Sequence, residues 1–577
     1  MMNTTCYFNL TEGTLTLGNK LFSRSFSGIA DASPKKVTPR SRSLPYFEVR
    51  AKKEDGSACL YQLWEDIPVV RIVDGAENPL LELEGQHWTV KSVKLNAFTD
   101  DRDVLCEENE YNFFKRGLFG AIEGDIFFLE DPETGRAVVI LSETPDWIRG
   151  KLTAPLISDR AYSDIAKISL DNGGYPIVLG FCKRGECETL CREYLRHANH
   201  CDMLVTMSNT WGDRNGRARV CEEFIRKEIG AAGEIGIDVM QIDDGWQAGN
   251  TIYPKQVDER KNQIFFDRYW DLNTDRFPNG IKPLADLAKE AGIKLGIWFA
   301  PSSHNCFAKI ERDKAELCKL YREFGARFFK LDMYQASDKV HTDKMLELLS
   351  HIYSLGDDVS VQMDVTRYER LNYLCGREYG TIFVENRYTS GVYNYYPHRA
   401  LRNLWSISRY IPASRFQFEL VNPDLPGASY GSNDPFAPNL YDMDYLFASV
   451  MLSNPLFWME LQFLGENRRR ELAPLLSIWK EHRELLASAD VMPIGDRPSG
   501  RSFTGFSISA KNGENYLLLF REVTDEDTGA FRLPVSYHRA EILACNSEIS
   551  IENRSLYTLV TFSKPRSYAF IKLSKTQ

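Results

Sequence analysis

Up to about residue 195, short runs of alternating apolar and polar residues are cut by Gly, Asp, Asn and Pro. Examples are Tyr46 to Ala51, Val69 to Val73, Trp88 to Leu95 and Ala137 to Leu141. A period of two is that of strands, and so many of them predict a large β-sandwich. From about 200 the period changes, and apolar runs of strand length alternate with stretches of helical spacing. Met203–Ser208 reads as a strand and Arg217–Ile229 as a helix. Gly236–Ile242 is the next strand, followed by a long insertion to about 280. The helix Pro283–Ala291, the strand Lys294–Phe299 and the helix Lys309–Phe324 follow. Arg327–Leu331 and Val359–Met363 are strands around the helix Lys344–Tyr353. Thr381–Val384 precedes the helix Arg399–Tyr410, and Arg415–Leu420 precedes the helix Tyr441–Leu452. Leu456–Met459 and the helix Arg468–Leu486 close the series.

That makes eight strands, each followed by a helix except at the fifth, where the connection is short and irregular. Eight such units in roughly 290 residues predict a closed (β/α)₈ TIM barrel. An open doubly wound sheet would be expected to carry a glycine-rich phosphate loop, and neither G-x-G-x-x-G nor a Walker sequence occurs in that context. Beyond about 490, Ser502–Ser509, Tyr516–Phe520, Leu556–Phe562 and Tyr568–Leu573 read as strands of a terminal β-sandwich. The expected domains are 1–198, an N-terminal β-sandwich, 199–488, the barrel, and 489–577, a C-terminal β-sandwich.

Composition narrows the partners. The chain has 577 residues, 43% hydrophobic and 26% charged, which is ordinary for a globular protein. A formal net charge of −10 disfavours nucleic acid and anionic membrane. The 12 cysteines are scattered, and the cluster Cys182, Cys187 and Cys191 lacks the C-x₂-C pairs of a zinc site, so buried free thiols are expected. No metal-type His/carboxylate spacing appears, and acid/base chemistry without metal or other cofactor is the simpler expectation. No basic-then-apolar leader opens the chain and no stretch is long and apolar enough to cross a membrane. A soluble protein is expected. Its compartment, whether cytoplasmic or reached through a leader removed from this chain, stays open, as does homo-oligomerisation.

Function in a barrel gathers at the carboxyl ends of its strands. Those ends read Asn209-Thr210-Trp211, Asp243-Asp244-Gly245-Trp246, Trp298-Phe299-Ala300-Pro301, Lys330-Leu331-Asp332, Gln362-Met363-Asp364 and Glu385-Asn386-Arg387. Carboxylates accept hydrogen bonds from hydroxyls and indole rings cover the apolar face of a sugar. Such a rim suits a neutral polyhydroxylated substrate. Two acids on opposite sides of an anomeric carbon are the minimum for glycosidic cleavage, one attacking or activating water and the other protonating the departing oxygen. Lys330 next to Asp332 favours the charged form of that carboxyl, as a nucleophile needs. The plainer readings are a structural ion pair for Asp332, a helix cap for one of Asp243 and Asp244, and an Arg-paired surface acid for Glu385. Trp405 and Trp458 read as core.

The segments QIDDGWQ at 241–247, WDLNTDRFPNG at 270–280, GIKLGIWFAP at 292–301 and FFKLDMYQ at 328–335 resemble the α-galactosidases of glycoside hydrolase clan D, particularly family 36. The resemblance covers about 205 to 460. It implies an N-terminal β-supersandwich, a central barrel and a C-terminal β-sandwich, and a retaining exo-glycosidase with an oligosaccharide or glycoside substrate. It makes Asp332 the nucleophile and Glu385 the acid/base candidate, at the place of the family's Trp-Thr-Ser-Asp-Asp-type segment. Asp243, Asp244 and Lys330 would hold sugar hydroxyls, Trp298 and Trp246 would wall the pocket, and Trp211 would lie nearby. Asp364 and Arg387 complete the expected substrate contacts, with Asp364 a second candidate for proton donor. Where the family carries a Cys and a Ser-Gly-Gly-Gly-Arg stretch after strand five, this chain has Met363-Asp364-Val365-Thr366-Arg367. That departure leaves open β-L-arabinopyranosides or N-acetylgalactosaminides, transglycosylation of the raffinose-synthase kind, and a carbohydrate-binding barrel that has lost catalysis.

Overall fold

The computed structural model describes residues 6–74, 80–84, 87–96, 105–114, 120–153, 165–214, 216–249, 268–365, 369–386, 388–389, 392–424, 430–431 and 433–574. The N-terminal region is built on a nine-stranded antiparallel sheet, with three- and four-stranded sheets beside it. In its strand Arg136–Ser142, Val138 and Ile140 face the region's own core, while Val139 and Leu141 face a core shared with the barrel. A continuous apolar run is what a strand covered on both faces requires. Between this sheet and the barrel lies a helix, Cys187–Ala198, which sends Leu190, Cys191, Tyr194 and Leu195 into the shared core. The strand-rich reading to about 195 missed this helix. Four residues of apolar spacing at the end of a β-rich stretch are a weak signal.

The middle of the chain forms a closed barrel of eight parallel strands. In chain order they are β1 (Met207–Asn209), β2 (Val239–Ile242), β3 (Lys294–Phe299), β4 (Ala326–Leu331), β5 (Ser360–Asp364), β6 (Thr381–Val384), β7 (Phe416–Leu420) and β8 (Leu456–Phe457). β1 closes on β8 through Met207↔Leu456. No helix forms between β5 and β6 among the described residues, as the irregular spacing there predicted. β1 is shorter than Met203–Ser208 predicts, and the next helix runs Glu222–Ile235 rather than Arg217–Ile229. The apolar lead-in Leu204–Val205 packs without pairing, and Gly212–Arg214 and Gly216–Ala218 form two short 3₁₀ turns.

Alternation along each barrel strand sorts the side chains. Leu295, Ile297 and Phe299 of β3, and Phe416, Phe418 and Leu420 of β7, join the outer core against the helices. The opposite phase fills the pore. Its lower layer is apolar: Met207, Val239, Phe328, Phe383, Leu456 and Trp458 form one cluster. Above it comes a polar layer, in which Gln362 donates to Gln417 and Asn209 donates to Gln241. The acids follow one step higher.

After the barrel helix Glu466–Ser488, a five-stranded sheet starting at Asp490–Gly495 packs on a three-stranded one. Leu517 and Leu519 face the core between those sheets, and Leu518 and Phe520 face the barrel. Buried ion pairs fasten the three regions together. Glu143 of the N-terminal sheet takes Arg71 and, from the β5–β6 connection, Arg377, each at 2.7 Å. Arg192 and Arg196 of the helix Cys187–Ala198 hold Asp490 at 2.8 and 2.7 Å. No described helix is long and apolar enough to cross a membrane.

Candidate active site

Lys330, the inward residue of β4, is built on an aromatic floor. Its ammonium lies 4.8 Å from the ring centroid of Trp458 and 5.6 Å from that of Phe383, and those two rings stack 5.2 Å apart. The charge on Lys330 is met by Asp243 at 3.0 Å, whose same oxygen accepts Asn209 at 2.7 Å. The other Asp243 oxygen accepts the Asp244 amide, and Gln247 donates to Asp244 at 2.6 Å. Burial works against the Lys330 charge, and Asp243, Asp332 and Asp364 more than offset it, so its pKa is raised. Gly245 has φ +120°, and a Cβ there would stand 2.7 Å from the Cβ of Arg217. Only glycine fits the Asp-Asp-Gly-Trp turn.

Asp332 follows β4 in the same inward phase as Phe328 and Lys330. Its Oδ1 accepts Arg370 at 2.8 Å and the Met333 amide at 2.6 Å, and its Oδ2 accepts the Trp298 indole N–H at 3.2 Å. Met333, whose amide makes that contact, has φ 54°, an uncommon conformation for its type. Burial alone drives the Asp332 carboxyl up. Arg370 and then Lys330 oppose it, helped by Trp298 and the Met333 amide, and hold it at about 2. Its side chain keeps 21% exposure, against 3% for Asp243, so this is the charged oxygen pair a ligand can reach.

Arg370 was not anticipated. It lies three residues beyond Met363-Asp364-Val365-Thr366-Arg367, the stretch in which this chain departs from the family, and its guanidinium reaches Asp332. Its Nη1 also binds Asp364, at 3.1 Å through the carboxylate and 2.8 Å through the carbonyl. Asp364 is therefore engaged by the protein itself. Glu385 follows β6 two places after Phe383, which faces the pore, and is 7% exposed. The same alternation brings in Glu419, two places after Gln417 on β7 and wholly buried. Strand seven's end was not read for chemistry, yet Arg-Phe-Gln-Phe-Glu-Leu alternates polar and apolar residues and carries the signal.

The expected aromatic walls divide. Trp298 contacts the nucleophile candidate directly, and Trp211 is partly exposed beside the lower pore cluster. Trp246 has no exposed surface. It stacks on Trp270 5.8 Å away and donates its indole N–H to the Trp298 carbonyl, so it braces Trp298 from behind rather than walling a pocket. Arg387 lies outside the described residues.

Acids, one lysine and one arginine thus converge at the mouth of an eight-stranded barrel that lies between two β regions. Comparison with known proteins finds relatives of this arrangement. The chain is 21% identical over 377 residues to the α-galactosidase AgaA of Geobacillus stearothermophilus, a match covering 58% of this chain and 49% of AgaA. It thus spans about half the length of that curated relative. No family model matches the chain. Among solved structures, GH36 α-galactosidase AgaA superposes with a TM-score of 0.62 at 13% identity, covering 94% of this chain and 87% of that one. The α-galactosidase from Lactobacillus brevis gives 0.64 at 10% identity, covering 95% and 86%. An AgaA variant solved in complex with raffinose gives 0.61 at 12%, covering 94% and 87%. The fold is that of the family 36 α-galactosidases.

Proposed function

We propose that this protein is a retaining exo-glycosidase acting on terminal α-galactoside-like residues. The observation that carries the reading is the state of Asp332, the most exposed acid of the Lys330–Asp243–Asp332–Arg370 cluster and held ionised by two cations. A nucleophile must be charged and reachable, and both conditions meet on this residue. Its carboxylate attacks the anomeric carbon and forms a glycosyl ester while Glu385 gives its proton to the departing oxygen. Water, deprotonated by Glu385, then breaks the ester. Glu385, which leaves β6 in the pore phase of Phe383, is the acid assigned to proton transfer. Trp298 fixes the attacking carboxylate through its N–H, and Asp244 and Lys330 are assigned to sugar hydroxyls. Likeness to α-galactosidases, one of them solved with raffinose, supports an α-galactosyl oligosaccharide as the substrate class.

The test is a panel of nitrophenyl glycosides with product configuration followed by NMR, run on wild type, Asp332→Ala and Glu385→Ala. The reading expects α-galactoside turnover with retention, and loss of activity in Asp332→Ala. Azide then yields a β-galactosyl azide with Asp332→Ala and an α-galactosyl azide with Glu385→Ala. Inverted product from wild type, or undiminished turnover by Asp332→Ala, would refute it. Transfer of the glycosyl group to an added sugar in preference to water would move the assignment to transglycosylation.

A further inference from the structure

Glu419 is a carboxylate with no exposed surface, facing the pore at the end of β7. Burying such a group is costly unless it has strong polar partners, so its placement calls for a role. Register shows what it adjoins. Ile382, Phe383 and Val384 of β6 pair with Phe416, Gln417 and Phe418 of β7, so the residues that follow, Glu385 and Glu419, leave neighbouring strands at one level and in one phase. Glu419 Oε1 accepts the backbone N–H of Asn386 at 2.8 Å. That N–H belongs to the peptide unit immediately after Glu385. The Asn386 side chain secures the same turn from outside, donating to the Val384 carbonyl at 3.0 Å and accepting from Asn403 of the helix Pro397–Ile407.

We propose that Glu419 is a positioning residue which, through the Asn386 amide, aims Glu385 at the departing oxygen. This rests on the reading of Glu385 as acid/base. The peptide after Glu385 is gripped on its N–H by Glu419, while Asn386 bridges back to Val384 and out to Asn403. With both sides held, the backbone leaving β6 cannot rotate about Glu385, and its side chain keeps the inward phase set by Phe383. Glu419 touches no substrate in this account. A displacement of an ångström in a catalytic group costs on the order of 100-fold in rate.

Aryl galactosides of differing leaving group separate this role from a general structural one. A dinitrophenyl group departs without a proton, whereas a phenyl group needs one. Glu419→Ala is expected to lower kcat/KM, which reports the step that expels the aryl group, about 100-fold on the phenyl galactoside and less than about 3-fold on the dinitrophenyl galactoside. Glu419→Gln keeps an acceptor oxygen at the same reach and should restore the phenyl rate to within about 5-fold of wild type. Asn403→Ala, which loosens the turn from the outer side, should show the same leaving-group dependence at about 10-fold, and it serves if Glu419→Ala does not fold. An equal loss on both substrates in folded protein, or no loss on either, would overturn the inference. Failure of the underlying reading looks different: Glu385→Ala would then show no dependence on leaving group.

Discussion

Arg370→Met is the sharpest perturbation of the charge on Asp332, the proposed nucleophile. Arg370 stands 2.8 Å from Asp332 Oδ1. At an effective dielectric of about 20, a unit pair at that distance attracts by ~6 kcal/mol, an upper figure because Asp364 shares the guanidinium. Opposite charges close to a carboxyl typically lower its pKa by about 1–3 units, or roughly 1.4–4 kcal/mol. In the variant, burial is opposed by Lys330 alone among the charges, so the Asp332 pKa rises from about 2 into roughly the 3–5 range. Attack requires the carboxylate, so activity is lost as pH falls through that pKa. The acid limb of kcat/KM, which reports the free enzyme, should move upward by the same interval. The assay is kcat/KM on an aryl α-galactoside from pH 3 to 8. Arg370→Lys keeps the charge and should hold the limb near its wild-type place while lowering kcat, because the shorter lysine ends before the point where Arg370 Nη1 meets both Asp332 and Asp364. An acid limb that stays put in Arg370→Met would refute the electrostatic role, whatever happened to the rate.

Other outcomes follow from the same contacts. Trp298→Phe removes one hydrogen bond to a charged group, worth about 1.5–3 kcal/mol, so kcat/KM should fall about 10- to 150-fold, and an unchanged value would remove Trp298 from the site. Lys330→Met strands Asp243 without its cation in a buried place. Thermal denaturation should show a loss of about 3–5 kcal/mol, unlike Lys339→Met, whose partner Asp343 is exposed. At the seam between the N-terminal sheet and the barrel, burial raises the Glu143 carboxyl, but Arg377, Arg71 and their hydrogen bonds bring it below the usual glutamate range. A carboxyl depressed in the folded state contributes stability above its unfolded value and loses it as pH falls through the folded one. Glu143→Gln should therefore melt well below wild type at pH 7, and the gap should narrow as both are acidified below pH 4. A gap independent of pH would show the ion pairs to be of little account.

Much of this was legible in the sequence because barrel strands obey two rules at once. Helices outside demand an apolar phase, as in Leu295, Ile297 and Phe299, and the pore mouth tolerates polar groups only in the other phase. Lys294–Phe299 and Thr381–Val384 were located to the residue for that reason, and Lys330 with Asp332 announced the site by sharing the pore phase. Trp246 failed the same reasoning. Its indole lies beyond its strand, where the Gly245 turn resets the alternation, so its direction could not be counted from β2. Arg370 escaped because the β5–β6 connection has no period to count, and only tertiary packing brings that arginine over Asp332. Glu419 obeyed the rule in full, and the pattern at 416–420 would have found it.

The central claim is that a glycosyl group becomes esterified to Asp332. A fluorinated galactosyl fluoride of the kind that forms a slowly hydrolysed glycosyl ester, followed by intact mass and peptide mapping, tests it most directly. The account predicts a mass gain of one fluorogalactosyl group, located on the peptide containing Asp332 and absent from Asp332→Asn. Labelling of Asp364, Glu385 or Glu419 instead, or turnover of the reagent with inversion and no covalent adduct, would contradict it.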